Sequence, residues 1–198
     1  FDTAAGGDIS ITTAAVTAAN GGSGNAISAI SYSTTGDVTV VANGVLTADN
    51  AAVQDALLDP TATGNISVTT NAAVNARFGI DAENFGTGTT TVNAVGPISA
   101  TSGNGIFALT SGGNVVVTAG AVTSTGNTAI IAQQSDAAQS GTVAVTTTGA
   151  ISGTTGINAF TPGLGGVTVA TGGLVTGTAG SAIIADNSNA SSTGNILV

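Results

Sequence analysis

The chain has 198 residues, ten acidic side chains against a single base, a net charge of −9, and neither cysteine nor histidine. That balance excludes nucleic-acid recognition, which needs clustered Lys and Arg, disfavours anionic membrane surfaces, and removes disulfides, most transition-metal sites and every His-based triad. With 30 glycines, 3% aromatics and 42% hydrophobic residues, the core must be slim and built of Val, Ile, Ala and Leu, and no apolar run reaches the roughly 18 residues of a membrane-spanning helix.

The first apolar segment is Gly7-Asp-Ile-Ser-Ile11, where Ile9 and Ile11 alternate with Ser10. Period two is the mark of a strand with one buried face, and β-branched residues favour strands by shape. Val16 marks a second short segment, and Ala26-Ile-Ser-Ala29 a third. Between them, Gly21-Gly-Ser-Gly-Asn-Ala26 has the glycines of a calcium-binding nonapeptide but Ala where Asp should ligate. It therefore reads as a turn.

The same three segments then return along the chain. The second set is Gly36-Asp-Val-Thr-Val40, then Val45, and a weak third segment in Ala51–Pro60, where Val53 or Leu57 takes the Ile place. Pro60 ends that segment, and a bulge or loop is expected over 54–63. The third set is Gly64-Asn-Ile-Ser-Val68, Val74 and Gly79-Ile-Asp-Ala82. It carries Arg77, Asp81 and Glu83, the best local group for carboxylate chemistry of the glycoside-cleaving kind. A solvated corner is the stronger reading of those charges, and no catalytic residue is assigned.

The fourth set is Thr90-Thr-Val92, a weaker copy, with Ile98 and Gly105-Ile-Phe-Ala108. Asn114-Val-Val-Val117, Val122 and Ala129-Ile-Ile-Ala132 form the fifth. Gly141-Thr-Val-Ala-Val145, Ile151 and Gly156-Ile-Asn-Ala159 form the sixth. Gly166-Val-Thr-Val169, Val175 and Ala182-Ile-Ile-Ala185 form the seventh, and Asn195-Ile-Leu-Val198 opens an eighth. The first-segment leaders Ile9, Val38, Ile66, Thr90, Val115, Val143, Val167 and Ile196 are 29, 28, 24, 25, 28, 24 and 29 residues apart. A fixed period in this range signals a repeat array.

Three short strands per repeat, with no helical periodicity, predict an all-β fold. It is a right-handed single-stranded parallel β-helix (solenoid) of about seven coils, spanning 1–198 as one domain. One coil cannot bury its own inward side chains, whereas stacked coils bury them in a column. Ile27, Ile80, Ile106, Ile130, Ile157 and Ile183 are the expected core cassette. The residue after each Ile should face outward, which places Phe107, Ile131 and Ile184 in a candidate apolar contact stripe. Asn104, Asn114, Asn127 and Asn187 are placed near corners, where Asn tolerates turns. Threonine pairs on the outer face are too irregular for an ice-binding array. Asn65-Ile-Ser67 and Asn189-Ala-Ser191 match the glycosylation pattern.

The stretch Gly103-Asn-Gly-Ile-Phe-Ala108, followed by Gly113-Asn-Val-Val-Val-Thr-Ala-Gly-Ala-Val122, resembles the β-helical passenger domains of bacterial autotransporters and related surface adhesins. That resemblance implies an exported rigid stalk at a bacterial cell surface, part of a longer chain; the residues themselves point to a structural stalk or adhesin with no catalytic activity and no cofactor or metal. Its partners would be another copy of itself or a host or cell-surface glycan or protein. Two alternatives stand beside it. One is a filament subunit stacking head to tail, because Gly194-Asn-Ile-Leu-Val198 is similar to Gly7-Asp-Ile-Ser-Ile11. The other is a polysaccharide-active enzyme built on Asp81 and Glu83.

Overall fold

A computed structural model describes residues 6–19 and 21–198. Its described residues form a parallel β-solenoid of about seven turns, with twenty strands and no helix. Strands are numbered in chain order. The first segments of the coils are β1 (Ile9–Thr13), β4 (Val38–Ala42), β6 (Ile66–Thr70), β8 (Thr90–Ala94), β11 (Val115–Ala119), β14 (Val143–Thr147), β17 (Val167–Thr171) and β20 (Ile196–Leu197). They pair in that order as one eight-stranded parallel sheet. The second segments are β2 (Val16–Ala18), β9 (Ile98–Ala100), β12 (Val122–Ser124), β15 (Ile151–Gly153) and β18 (Val175–Gly177). The third are β3 (Ile27–Ser31), β10 (Ile106–Thr110), β13 (Ile130–Gln134), β16 (Ile157–Thr161) and β19 (Ile183–Asn187). In two coils the second and third segments run together, as β5 (Leu46–Leu57) and β7 (Val74–Asn84), which joins both ladders into one twelve-stranded sheet.

The register follows the sequence period. Ile9, Val38, Ile66, Thr90, Val115, Val143, Val167 and Ile196 are successive partners in the first ladder. Ile27, Val53, Ile80, Ile106, Ile130, Ile157 and Ile183 are successive partners in the third. Val53 thus takes the Ile place in the second coil. These residues form a single dry column: from Ile27 to Ile157 every member is buried, and Ile183 packs part-buried against it. Thr90, the weak copy, is also fully buried, and its Oγ1 donates to the Leu109 carbonyl at 2.8 Å.

Two expectations need correction. The second-segment ladder runs Val16, Leu46, Val74, not through Val45, which is exposed. Leu46 is larger and wins the inward place, which moves the strand by one residue and so to the other face. The irregularity expected over 54–63 is split: residues 53–57 pair regularly with β3 and β7, a loop with Pro60 in its turn follows from residue 58, and the register shifts earlier, between Ala48 and Ala51. The extra residue is absorbed as a bulge in the outer turn of β5.

The corners explain the glycine content. Gly36, Gly64, Gly88, Gly113, Gly141, Gly165 and Gly194 each precede a first-segment leader by two residues. A Cβ on any of them would meet the backbone carbonyl of the glycine one coil earlier, at 1.8 to 2.4 Å. None has positive φ; close approach of stacked backbones, not turn geometry, demands glycine. Beside this column runs an outer ladder of side chains. Asp8 Oδ1 accepts from Asp37 N, Asp37 Oδ1 from Asn65 N, Asn65 Oδ1 from Thr89 N, and Asn114 Oδ1 from Thr142 N.

A third device lies inside. The last inward position of the third segment is polar in most coils: Ser31, Asn84, Thr110, Gln134, Thr161 and Asn187, all but Asn187 fully buried. Each ties the turn that follows. Asn84 Nδ2 donates to Gly64 O while its Oδ1 accepts from Gly86 N. Thr110 Oγ1 donates to Gly88 O and accepts from Gly113 N. Gln134 Nε2 donates to the Ser111 and Asp136 carbonyls, and Thr161 Oγ1 donates to Gln134 Oε1. Asn187 belongs to this column, with Nδ2 on Gly165 O and Ser192 Oγ; it is an inward tie and not only a corner residue. Replacing Thr110 with Val keeps the shape but leaves two turn groups without partners, so it should cost about 1–3 kcal/mol, read as a shifted urea midpoint at unchanged slope.

Candidate functional site

The outward face of the third-segment strands holds the predicted surface residues. Along β7, Ile80 and Ala82 point in, so Asp81 and Glu83, two residues apart on the same strand, share the outer face. The next coils continue that face. Asp81, Phe107, Ile131, Asn158 and Ile184 are successive partners in one outward column, and Glu83, Leu109, Gln133, Phe160 and Asp186 in the next. Phe107 and Ile131 are therefore neighbours, as the period predicts. Asn158 separates them from Ile184, so the expected stripe is interrupted. Leu109 and Phe160 broaden it sideways; they sit two residues beyond each outward cassette residue, a position the sequence reading did not examine.

Arg77 does not join Asp81 and Glu83. It lines a shallow hollow of about 390 Å³ with Ala48, Asp49, Asn75, Ala76, Ser99 and Thr101. Its Nε donates to Ser102 Oγ at 3.0 Å and its guanidinium lies 5.3 Å from the Phe78 ring centre. A second hollow of about 150 Å³ is lined by Phe78, Ile80, Asp81, Glu83, Asn104 and Phe107. Phe78 fits because residue 103 is glycine: a Cβ there would fall 1.9 Å from its Cδ1.

Burial first, and the charge of Glu83 second, push Asp81 up to about 6. Burial also raises Glu83. Asp81 Oδ1 and Asn104 Oδ1 are enclosed without a protein hydrogen-bond partner. Two carboxylates and two aromatic rings therefore line one hollow, with the two unpartnered oxygens enclosed in its wall.

Sequence reasoning missed the most perturbed group. Asp55 occupies the inward Ala place of the cassette, between Ala29 and Ala82 in neighbouring coils. It is 1% exposed and neither carboxyl oxygen has a hydrogen-bond partner. Burial, and then the charge of Asp81, push it up to about 8. The signal was available: once Val53 takes the Ile place, Asp55 is two residues on and must point inward.

The remaining motifs are structural in position. Gly21 and Gly22 adopt positive φ and form a turn, with Gly22 N donating to Asp49 Oδ2. Asn65 is held in the corner ladder, and Asn189 Nδ2 donates to Ala137 O. Among the described residues no three His, Cys, Asp or Glu side chains gather as a metal-binding group, and no helix is long and apolar enough to cross a membrane. In comparisons with protein-family models, curated proteins and solved structures, nothing matches the chain.

Proposed function

We propose that this chain is an extracellular structural rod, a stalk or adhesin of the kind its sequence resembles in autotransporter passengers, working through its lateral surface and without catalysis. The observation that carries this reading is the continuity of the three ladders. Nearly every regular residue serves one column, and the outer faces present mostly short polar side chains with scattered exposed apolar ones such as Val95, Val116 and Leu174. Such a surface suits repeated contacts along a side, and a parallel stack of coils carries load through main-chain hydrogen bonds between turns.

Antibody labelling of intact producing cells tests the location: surface signal is expected, and signal only after permeabilisation contradicts it. Incubation with acidic and neutral polysaccharides tests the chemistry. No new reducing ends should appear; their release, abolished in Asp81→Asn/Glu83→Gln, would establish an enzyme instead.

A second reading is favoured by register. β1 and β20 are the first and last described strands of one ladder, and pairing β20 of one copy with β1 of the next would continue its register. A filament subunit of this kind grows with concentration in light scattering, whereas a mass constant over the full concentration range contradicts it.

A further inference from the structure

We propose that the hollow between Phe78 and Phe107 is a receptor for the ammonium end of a lysine side chain on a partner protein. Its chemistry is one-sided. Asp81 and Glu83 supply carboxylates, and Asp81 Oδ1 and the Asn104 side-chain Oδ1, enclosed in the wall, have no hydrogen-bond partner. Phe78 and Phe107 line it with aromatic rings, whose faces attract cations. The chain's own base, Arg77, lines the neighbouring hollow, where it donates to Ser102 and lies over the Phe78 ring that borders the proposed one.

A hollow of about 150 Å³ has room for the butylammonium end of a lysine. Charge narrows the ligand. Asp81 and Glu83 repel one another across this face, and an arriving cation relieves that repulsion. A neutral ligand leaves it in place. Next to the hollow, Leu109 and Ile131 extend an apolar shelf on which residues flanking the lysine can rest. This inference concerns the hollow alone and does not depend on where the rod is displayed.

The probe is Nα-acetyl-lysine methylamide, titrated into the intact protein while the amide resonances of Asn104 and Phe107 are followed by NMR. Saturable shifts in the millimolar range are expected. They should weaken about tenfold or more in Asp81→Asn/Glu83→Gln, which removes both charges from the outward face of β7. Phe107→Ala should weaken them about three- to fivefold, the worth of one ring face. The Nε-acetylated analogue should produce no saturation. Equal binding of that neutral analogue or of methyl glucoside overturns the proposal. So does the absence of saturation at any soluble concentration, and so does saturation by calcium chloride where the lysine probe fails.

Discussion

Replacing Asp55 with Ala is expected to stabilise this protein at pH 7.5 by something on the order of 3 kcal/mol. The carboxyl sits fully enclosed at a place where the coils on either side carry Ala29 and Ala82. Alanine is therefore the residue the column is shaped for. Burial without a partner disfavours the charged form, and the group is pushed from 3.8 in its ordinary state up to about 8. The sign of the pH dependence follows. Between about pH 4 and pH 8 the unfolded chain has lost this proton while the folded chain keeps it. The unfolded state then binds fewer protons, so stability falls as pH rises through that window.

Urea melts across pH 4 to 9 should show the wild-type protein losing stability steadily up to about pH 8, and Asp55→Ala should lose most of that slope. A residual decline below about pH 6 should persist in the variant, because Asp81 is also raised, to about 6, and Glu83 moves in the same direction. Asp55→Asn removes the ionisation but still buries a polar group, so it should flatten the profile with a smaller gain. Equal slopes in wild type and Asp55→Ala would place the carboxyl in contact with water.

The second large effect is a loss. Gly141→Ala puts a Cβ 1.8 Å from the Gly113 carbonyl oxygen and 2.7 Å from its carbon, distances at which the coils themselves must part. Both neighbours are backbone, so no side chain can swing away. The expected cost exceeds about 4 kcal/mol, in the range reserved for disrupted cores and backbone collisions, and failure to fold is its upper limit. Gly172→Ala is the control. Its Cβ meets nothing closer than 3.2 Å, and it should change stability by about 1 kcal/mol or less, close to the ordinary propensity difference. Measured by urea denaturation, a small effect at both positions would mean that the coils are not stacked in this register.

How much of this was legible in the residues divides along a physical line. The apolar ladders were readable because Val and Ile recur at i and i+2 within each strand and again one coil later. Leu46 was not, because Val45 beside it fits the same pattern and only packing decides between them. The inward polar ties at Asn84, Thr110, Gln134 and Thr161 escaped because a search for apolar periodicity cannot see a buried column made of polar groups. The corner glycines were visible in part. Their spacing equals that of the strand leaders, yet in the seventh coil Gly165 and Gly166 are adjacent and the sequence does not say which one lies in the column. Asp81 and Glu83 were singled out together, but Phe78 and Asn104, which complete the hollow, are 26 residues apart. Only the stacking of successive coils brings them to one place.

The measurement that bears most directly on the whole account is a register test with cysteines, which the natural chain lacks. Ser99 and Thr123 are outward partners on adjacent coils, about 4.8 Å apart across a parallel pair and within the range a disulfide spans. Ser152 is the next partner, one coil further on. Under mild oxidation Ser99→Cys/Thr123→Cys should close an internal disulfide, read as loss of two thiols and of two mass units in the intact protein. Ser99→Cys/Ser152→Cys should remain reduced, its cysteines separated by twice the spacing. Closure of the second pair, or free thiols in the first, would contradict a stack of coils one strand apart.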